Sequence, residues 1–408
     1  MGMRLAASLL LVYSLIVAAD GVARAADAVT IGFVGPSRQE QRAALETGAE
    51  IVNTPHQGLE PLPLGAGEGL PHLAGAKIAV DFADDLDNPS VAAAQALRLV
   101  TRDHVAALIG GGAAPQIAAA SAVAERHRAP LVAPLGSPPS MTERGFEWVF
   151  RTAPLPADIA RVYARFLGEL KQGGGKLGTA ALVFEDSAAG RAEAGVLREG
   201  LKAADFGVAD IAYKPHADNL SATVTALRER HPDAAIFISR AADAILLAKT
   251  MQSAGYKAPI EIGDGAGFAA PGFGAAVGNL AQGLIGRAAW SSGERDKPTA
   301  IVNQLYRAKT GRDLDDVSAE VVQAVLVLAA AIDRAGSTDA AAIRDALRQT
   351  DLKPDQLIVG YDGIRFDAGG QNTLGSIWLT QLQGKQRVTV WPAGKAAGKL
   401  VLPFAGWE

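Results

Sequence analysis

The chain has 408 residues, 49% of them hydrophobic, 20% charged and 6% aromatic, with a formal net charge of −4 and no cysteine. This composition excludes a disordered chain, and the length points to about two domains rather than one small core. The slightly acidic balance argues against a nucleic-acid binder. The missing cysteines exclude a disulfide scaffold, a thiolate metal site, a cysteine nucleophile and a lipid-anchored N-terminal cysteine.

At the N-terminus, Arg4 precedes an apolar stretch over 5–19, and Ala23-Arg24-Ala25 places alanine at both small-residue positions of a cut before Ala26. The pattern predicts a secretory signal peptide over 1–25. Its apolar stretch falls short of the roughly 20 residues that span a bilayer. The mature protein is expected to begin at Ala26 and to be soluble in the periplasm.

Short apolar runs then alternate with alanine-rich helical stretches. Residues 29–34 read as a buried strand ending at Gly35-Pro36, and 39–53 as a helix. Residues 54–76, rich in Gly and Pro, read as a surface loop. Strand 77–82 comes next, then helix 89–101 with Asn88 as its cap and Pro89 at its first position. Strand 105–109, helix 116–127 and strand 130–133 follow. The rhythm restarts after Arg151 with helix 158–170, strand 179–184, helix 188–204 and strand 208–213. Helix 221–230, strand 234–239, helix 242–254 and strand 259–262 complete this block. Such alternation predicts an α/β fold of two doubly wound parallel sheets. The tail breaks the rhythm with helices at 318–335 and 339–349 and antiparallel strands in 357–366 and 376–390. These must add to one or both lobes.

Ligands of open parallel sheets bind beyond the C-terminal strand ends. In the first block those ends are Gly35-Pro36-Ser37-Arg38, Gly110-Gly111-Gly112-Ala113-Ala114-Pro115 and Pro134-Leu135-Gly136-Ser137-Pro138. In the second they are Glu185-Asp186-Ser187, Arg240-Ala241-Ala242-Asp243 and Gly263-Asp264-Gly265-Ala266-Gly267. All six are small, polar or Gly-rich, and their backbone N–H groups suit anions and carboxylates. The dinucleotide fingerprint fails because its third glycine falls on Phe268, and Gly110-Gly111-Gly112 lacks a following Gly-Lys-Ser/Thr. There is no Gly-x-Ser-x-Gly elbow and no His-Glu-x-x-His helix. The six histidines contain no i, i+4 pair for zinc. Asp84, Asp85 and Asp87 do not fit a calcium loop and read as a solvated turn. His56 and His72 read as solvated loop residues. The sequence therefore predicts no catalytic residues, no metal and no cofactor.

Val29-Thr30-Ile31-Gly32-Phe33-Val34-Gly35-Pro36, followed by Thr47-Gly48-Ala49-Glu50, resembles the start of the leucine/isoleucine/valine-binding family of periplasmic receptors. The segment from Asp85 to Pro89 is similar to the family's D-x-x-D-P segment. Ala129-Pro130-Leu131-Val132-Ala133-Pro134, Ser137-Pro138 and Phe150-Arg151-Thr152 resemble its most specific run. The likeness extends from about 28 to about 390. It implies a type I periplasmic-binding fold, with two lobes joined by three crossovers and closing on a ligand. It also implies a permease of an ATP-driven importer as the membrane partner, and a monomer.

The resemblance also supplies a site. The family's carboxylate-binding hydroxyl after the third strand falls on Ala114, beside Pro115. A second hydroxyl contact matches Ser137, and a backbone contact matches Leu135. A ligand-packing tyrosine matches Ala188 or Ala189, and another aromatic matches 240–242. The acid that holds an ammonium matches Asp264. One hydroxyl and two aromatics are thus missing, which argues against a branched-chain amino acid as ligand. Arg240 and Asp264 are the groups expected to orient whatever binds. A subgroup of the family is associated with pyrroloquinoline-quinone-dependent alcohol oxidation, and the alanine-rich site and the insertion at 54–76 resemble it.

The expected lobes are 26–152 with 285–362 and 153–284 with 363–408, crossing near 150–156, 280–288 and 360–366. The expected ligand-binding residues are Ser37, Arg38, Gly111, Gly112, Ala113, Ala114, Leu135, Gly136 and Ser137 in lobe 1. In lobe 2 they are Asp186, Ser187, Ala188, Arg240, Ala241 and Asp264. The expected function is a periplasmic solute receptor of an ATP-driven importer. The alternatives are a sensing subunit that presents its ligand to a membrane receptor, and a secreted enzyme on a related fold.

Overall fold

The computed structural model describes residues 28–136, 139–264, 266–269, 271–291, 298–384 and 386–404. The expected signal peptide lies outside these residues, as does Ser137. Lobe 1 begins β1 (Val29–Gly35), α1 (Gln39–Asn53), β2 (Ile78–Asp84), α2 (Pro89–Thr101), β3 (Ala107–Gly110), α3 (Ala114–His127), β4 (Leu131–Ala133) and β5 (Val149–Arg151). Its strands form one parallel sheet in the order β2-β1-β3-β4-β5. Lobe 2 continues with α4 (Pro156–Gln172), β6 (Thr179–Glu185), α5 (Ala188–Ala203), β7 (Gly207–Tyr213), α6 (Ser221–Arg230), β8 (Ala234–Ile238), α7 (Ala241–Ser253) and β9 (Ile260–Asp264). Two short helices, α8 (Ala266–Ala269) and α9 (Pro271–Val277), lead to β10 (Ile285–Ala288).

The chain then returns to lobe 1 with α10 (Pro298–Thr310), α11 (Asp316–Ala335), α12 (Ala340–Arg348) and the two-residue strands β11 (Asp351–Leu352) and β12 (Ile364–Arg365). It ends in lobe 2 with β13 (Trp378–Gln383) and β14 (Gln386–Trp391). The second sheet runs β14-β13-β10-β9-β8-β6-β7, parallel except where β13 joins β10 and β14 antiparallel. The fold is therefore α/β with two parallel-sheet lobes. Strands β3, β4, β8 and β9 are buried along their whole length, as strands covered by helices on both faces must be.

Three readings of the sequence are corrected. The run 357–366 is mostly not strand. Ile358, Val359 and Tyr361 are buried there, but only β12 makes a ladder. A short apolar run reads the same whether it is a strand or a buried passage. Residues 285–288 belong to the second sheet, not with lobe 1. The insertion at 54–76 is more than a surface loop. Leu59, Leu62 and Leu70 are buried in the lobe 1 core. Asp333 of α11 accepts from the His72 backbone N–H at 2.9 Å and meets its Nδ1 at 2.8 Å. His56 lies 3.2 Å from Glu50, which also pairs with Lys309 at 2.7 Å.

The first and last passages between lobes are sewn together by buried polar groups. Arg151 is fully buried, and its Nε donates to Gln371 Oε1 at 2.6 Å. Gln371 Nε2 donates to the Ala153 and Asn372 carbonyls, and Asn372 Nδ2 to those of Thr152 and Gly363. The Arg151 N–H donates to Gly370 O, and the Asn372 N–H to Arg151 O. Gly375 completes the seam, because a Cβ there would lie 2.8 Å from Pro154 Cα and from Asp158 Oδ2. Desolvation lowers the Arg151 pKa to about 10. Replacing Arg151 by Met strips Gln371 and Thr142 of a buried donor. It should cost about 3 kcal/mol in urea denaturation. A loss below about 1 kcal/mol would show that the seam is dispensable.

Candidate functional site

The C-terminal edge of the lobe 1 sheet is held by its own side chains. Asp84 Oδ1 accepts from the N–H groups of Ser37 and Leu86 at 3.2 and 2.9 Å, tying the turns after β1 and β2 together. Asp85 Oδ1 accepts from the Asp87 N–H at 2.8 Å. These two bonds hold Leu86 and Asp87 at φ +51°, a left-handed pair that non-glycine residues rarely form. Asn88 caps α2 as expected, accepting from the Ser90 N–H at 2.8 Å. The acidic turn is nonetheless not simply solvated. Asp87 is exposed and faces Arg38 at 3.9 Å, whereas Asp85 is wholly buried.

Gly111 and Gly112 are required by close approach. A Cβ on Gly111 would fall 2.0 Å from the Phe33 ring, and one on Gly112 would fall 2.5 Å from Asp85 Oδ2. The Gly111 N–H donates to Val34 O at 2.8 Å, so it is spent inside the sheet. The Gly111 carbonyl accepts from Gln41 Nε2 at 3.0 Å. Among the described residues the N–H groups of Gly112, Ala113 and Ala114 donate to no protein acceptor. They stand at the start of α3, where the helix dipole favours a negative group. Ala113 is exposed and Ala114 half-buried at this edge. Leu135 is half-buried and Gly136 exposed after β4.

At the lobe 2 edge, Glu185 is buried at the end of β6. Its Oε1 accepts from Ser187 Oγ at 2.8 Å and from Arg240 Nε at 3.1 Å. Ser187 also caps α5 by accepting from the Gly190 N–H at 3.0 Å. Arg240 is 61% exposed, so it is a rim residue in an ion pair. Asp186 is exposed and pairs with Arg191, and Ala188 and Ala241 are exposed at the starts of α5 and α7. Tyr213 Oη donates to Ser239 Oγ at 2.7 Å beneath them.

Asp264 is wholly buried and already engaged. Arg287 Nε of β10 reaches its Oδ1 at 2.6 Å, and Arg287 also lies 3.7 Å from Glu193 of α5. Across from them, Asp316 at the start of α11 accepts from the Trp290 N–H at 2.9 Å. One turn on, Glu320 Oε1 accepts from Tyr361 Oη at 2.7 Å. Burial pushes these acids up: Glu193 to about 7 with help from Asp264, Asp316 to about 6, and Glu320 to about 8. Sequence reasoning named none of Glu193, Arg287, Asp316, Glu320 and Tyr361. The usable signals were a lone arginine in an apolar strand and two acids one turn apart on the most apolar helix. Among the described residues no group of three His, Cys, Asp or Glu is arranged to hold a metal ion.

A model of the periplasmic binding protein family matches residues 30–387. The chain belongs to this family. It is 27% identical over 350 residues to the Leu/Ile/Val-binding protein homolog 7 of Brucella abortus, covering 81% of this chain and 85% of that one. Solved structures share the fold at lower identity. A putative branched-chain amino acid ABC transporter from Silicibacter pomeroyi superposes with TM-score 0.78 at 18% identity, over 92% of this chain and 99% of that chain. An ABC transporter substrate-binding protein from Desulfitobacterium hafniense in complex with Leu gives 0.70 at 19%, over 89% and 100%. A solute-binding protein from Rhodopseudomonas palustris in complex with 3,4-dihydroxybenzoic acid gives 0.62 at 17%, over 88% and 95%. Family membership implies an extracytoplasmic location.

The Glu320 carboxyl titrates higher folded, at about 8, than its ordinary 4.5. Between those values the folded state holds a proton that the unfolded state has lost, so stability must fall as pH rises across that window. Glu320→Gln keeps an acceptor for Tyr361 and should flatten the slope of urea stability between about pH 5 and about pH 8. An unchanged slope would remove Glu320 from the account. Arg287→Met removes the guanidinium paired with buried Asp264 and should cost about 3 kcal/mol in the same measurement.

Proposed function

We propose that this protein is the substrate-binding component of an ATP-driven importer, its two lobes closing on a small organic carboxylate that lacks an α-amino group. The observation that carries the ligand class is the Asp264–Arg287 pair at 2.6 Å. An amino acid entering a closed cleft needs a carboxylate for its ammonium, and an unpaired buried ammonium is very costly. Asp264 is the acid that the family pattern would offer, and Arg287 holds it. At the other end, the start of α3 presents N–H groups suited to a ligand carboxylate. Ala114 and Pro115 add no hydroxyl, and Ala188 adds little area against a branched side chain.

The remaining site residues are proposed in this frame: Ser37, Arg38, Leu135, Gly136 and Ser137 around the lobe 1 edge, and Asp186, Ser187, Arg240 and Ala241 around that of lobe 2. An N-terminal signal peptide removed before Ala26, a permease as partner and a monomeric state belong to the same proposal. So does a place in the subgroup associated with pyrroloquinoline-quinone-dependent alcohol oxidation, supported by the buried insertion at 54–76 and the alanine-rich edges.

Titration calorimetry separates the ligand classes. Leucine, isoleucine and valine should bind about a hundredfold more weakly than the best of a panel of benzoate, butyrate and lactate. A sub-micromolar dissociation constant for any of the three amino acids would sink the reading. Solution scattering should show a smaller radius with saturating ligand, because only the closed form touches it from both lobes.

A further inference from the structure

Three buried acceptors converge on Gly111-Gly112 with no donor to meet them. Gln41 Oε1, Asp85 Oδ2 and Gln116 Oε1 are each shut off from solvent and unpartnered. They come from three different strand ends: the first turn of α1, the turn after β2, and the first turn of α3. Gln41 spends its amide N–H on the Gly111 carbonyl, which fixes its other atom as an acceptor. A methyl on Gly112 would lie 2.5 Å from Asp85 Oδ2 and 2.8 Å from Gln116 Cβ, so both side chains pack on Gly112. The order β2-β1-β3 puts this cluster where the winding of the sheet reverses, the place where open sheets bind ligands.

An unmet buried acceptor costs the full desolvation of that group, and an ionised one costs far more. Among the described residues Asp85 makes no ion pair, and Arg38 is the one cation whose charge reaches it. Asp84 and Asp87 flank it on its own turn. Arg38, at the head of α1, is turned toward Asp87. The first turns of α1 and α3 present the neutral Gln41 and Gln116. A single proton repairs this arrangement. As a carboxylic acid, Asp85 gains an O–H that can donate to a neighbouring amide oxygen, satisfying two groups at once. Burial is the largest influence and raises its pKa, reinforced by the charges of Asp87 and Asp84 against the opposing pull of the Asp87 N–H and of Arg38.

We propose that Asp85 is held as a neutral carboxylic acid beneath Gly112 and acts as a positioning residue for the ligand site. Gln41 and Asp85 together lock the Gly111-Gly112 peptide. In a trans peptide the Gly112 N–H points opposite to the Gly111 carbonyl, away from Gln41. Without a charge on Asp85, a ligand carboxylate can settle at the start of α3 unopposed. This rests on the organic-carboxylate reading for its ligand, but not for the state of Asp85.

Two measurements test it. The infrared difference between wild type and Asp85→Asn, without ligand at about pH 6, should show the C=O band of a protonated carboxyl. Its absence would overturn the proposal. Calorimetry with benzoate, an anion from about pH 5 to about pH 8, should show wild-type affinity falling about tenfold or more as Asp85 ionises, the effect of one charge at an effective dielectric of about 20. Asp85→Asn should fall about tenfold less than wild type over the same range, whatever Glu193 and Glu320 contribute to both, and parallel slopes would count against gating. The exposed Asp87→Asn removes one like charge and should move the wild-type midpoint to lower pH, which keeps the test open if Asp85→Asn folds poorly. An unmoved midpoint would again count against it. If neither benzoate nor any other carboxylate binds at any pH, the ligand reading fails, and the infrared band still decides the state of Asp85.

Discussion

A guanidinium removed from water must find its hydrogen bonds inside the protein, and Arg151 finds them on the far end of the chain. Besides Thr142 close by, it reaches Gln371, Gly370 and Asn372 on the last passage between lobes, more than two hundred residues away in sequence. The first exit from lobe 1 and the final return to lobe 2 are thereby one seam, packed so tightly that only glycine fits at 375. The middle passage is held separately, by Asp316 accepting from the Trp290 N–H. Any movement of one lobe against the other has to bend around these contacts, because breaking them would expose several buried polar groups at once. The same seam sets how the two separately wound sheets are joined, and the proposed site between their C-terminal edges depends on it.

Within the cleft the governing cost is desolvation. Asp264 is buried with the Arg287 guanidinium 2.6 Å from its Oδ1. Glu193, Asp316 and Glu320 have no cation of comparable quality, and their carboxyls are pushed up. The region is therefore less negative near neutral pH than a count of its acids suggests, chiefly through Glu320. That matters for the ligand. For the organic carboxylate proposed above, fully ionised acids would repel it, whereas acids that keep their protons would tolerate it.

Much of the architecture was legible because it rests on local pattern. Strands that must be buried on both faces read as continuous apolar runs, and the Asn88-Pro89 cap marked its helix. Readings failed where a residue's fate was set by distant partners. Leu59, Leu62 and Leu70 sit among glycines and prolines, so local composition said loop, while α11 supplied the apolar face that buries them. Residues 357–361 are apolar enough for a strand, but Gln323 and the Ala289 carbonyl take the backbone bonds that a ladder would have used. Ser187 and Arg240 were placed at strand ends from the sequence because strand ends are legible, and the structure puts them there beside Glu185. Arg287 was missed, since its importance comes from Asp264 on the neighbouring strand. Asp85 was misjudged for the same reason: three acids in a turn look solvated until Gly112 packs over one of them.

The raised acids and the ligand are thermodynamically linked. A group whose proton affinity is set by burial and nearby charge must respond when a charged molecule enters its surroundings. If the proposed carboxylate settles at α3, its charge favours the protonated forms of whichever raised acids sense it. Glu193 at about 7 and Glu320 at about 8 lie where small shifts move whole protons near neutral pH. Binding of a carboxylate would then draw protons onto the protein, and a cationic ligand would release them. Arg287 sets the scale of this coupling, because it is the charge that Asp264, Glu193 and Asp316 all sense. In the proposed reading, the arginine that engages Asp264 would thus also set how strongly ligand charge couples to proton uptake.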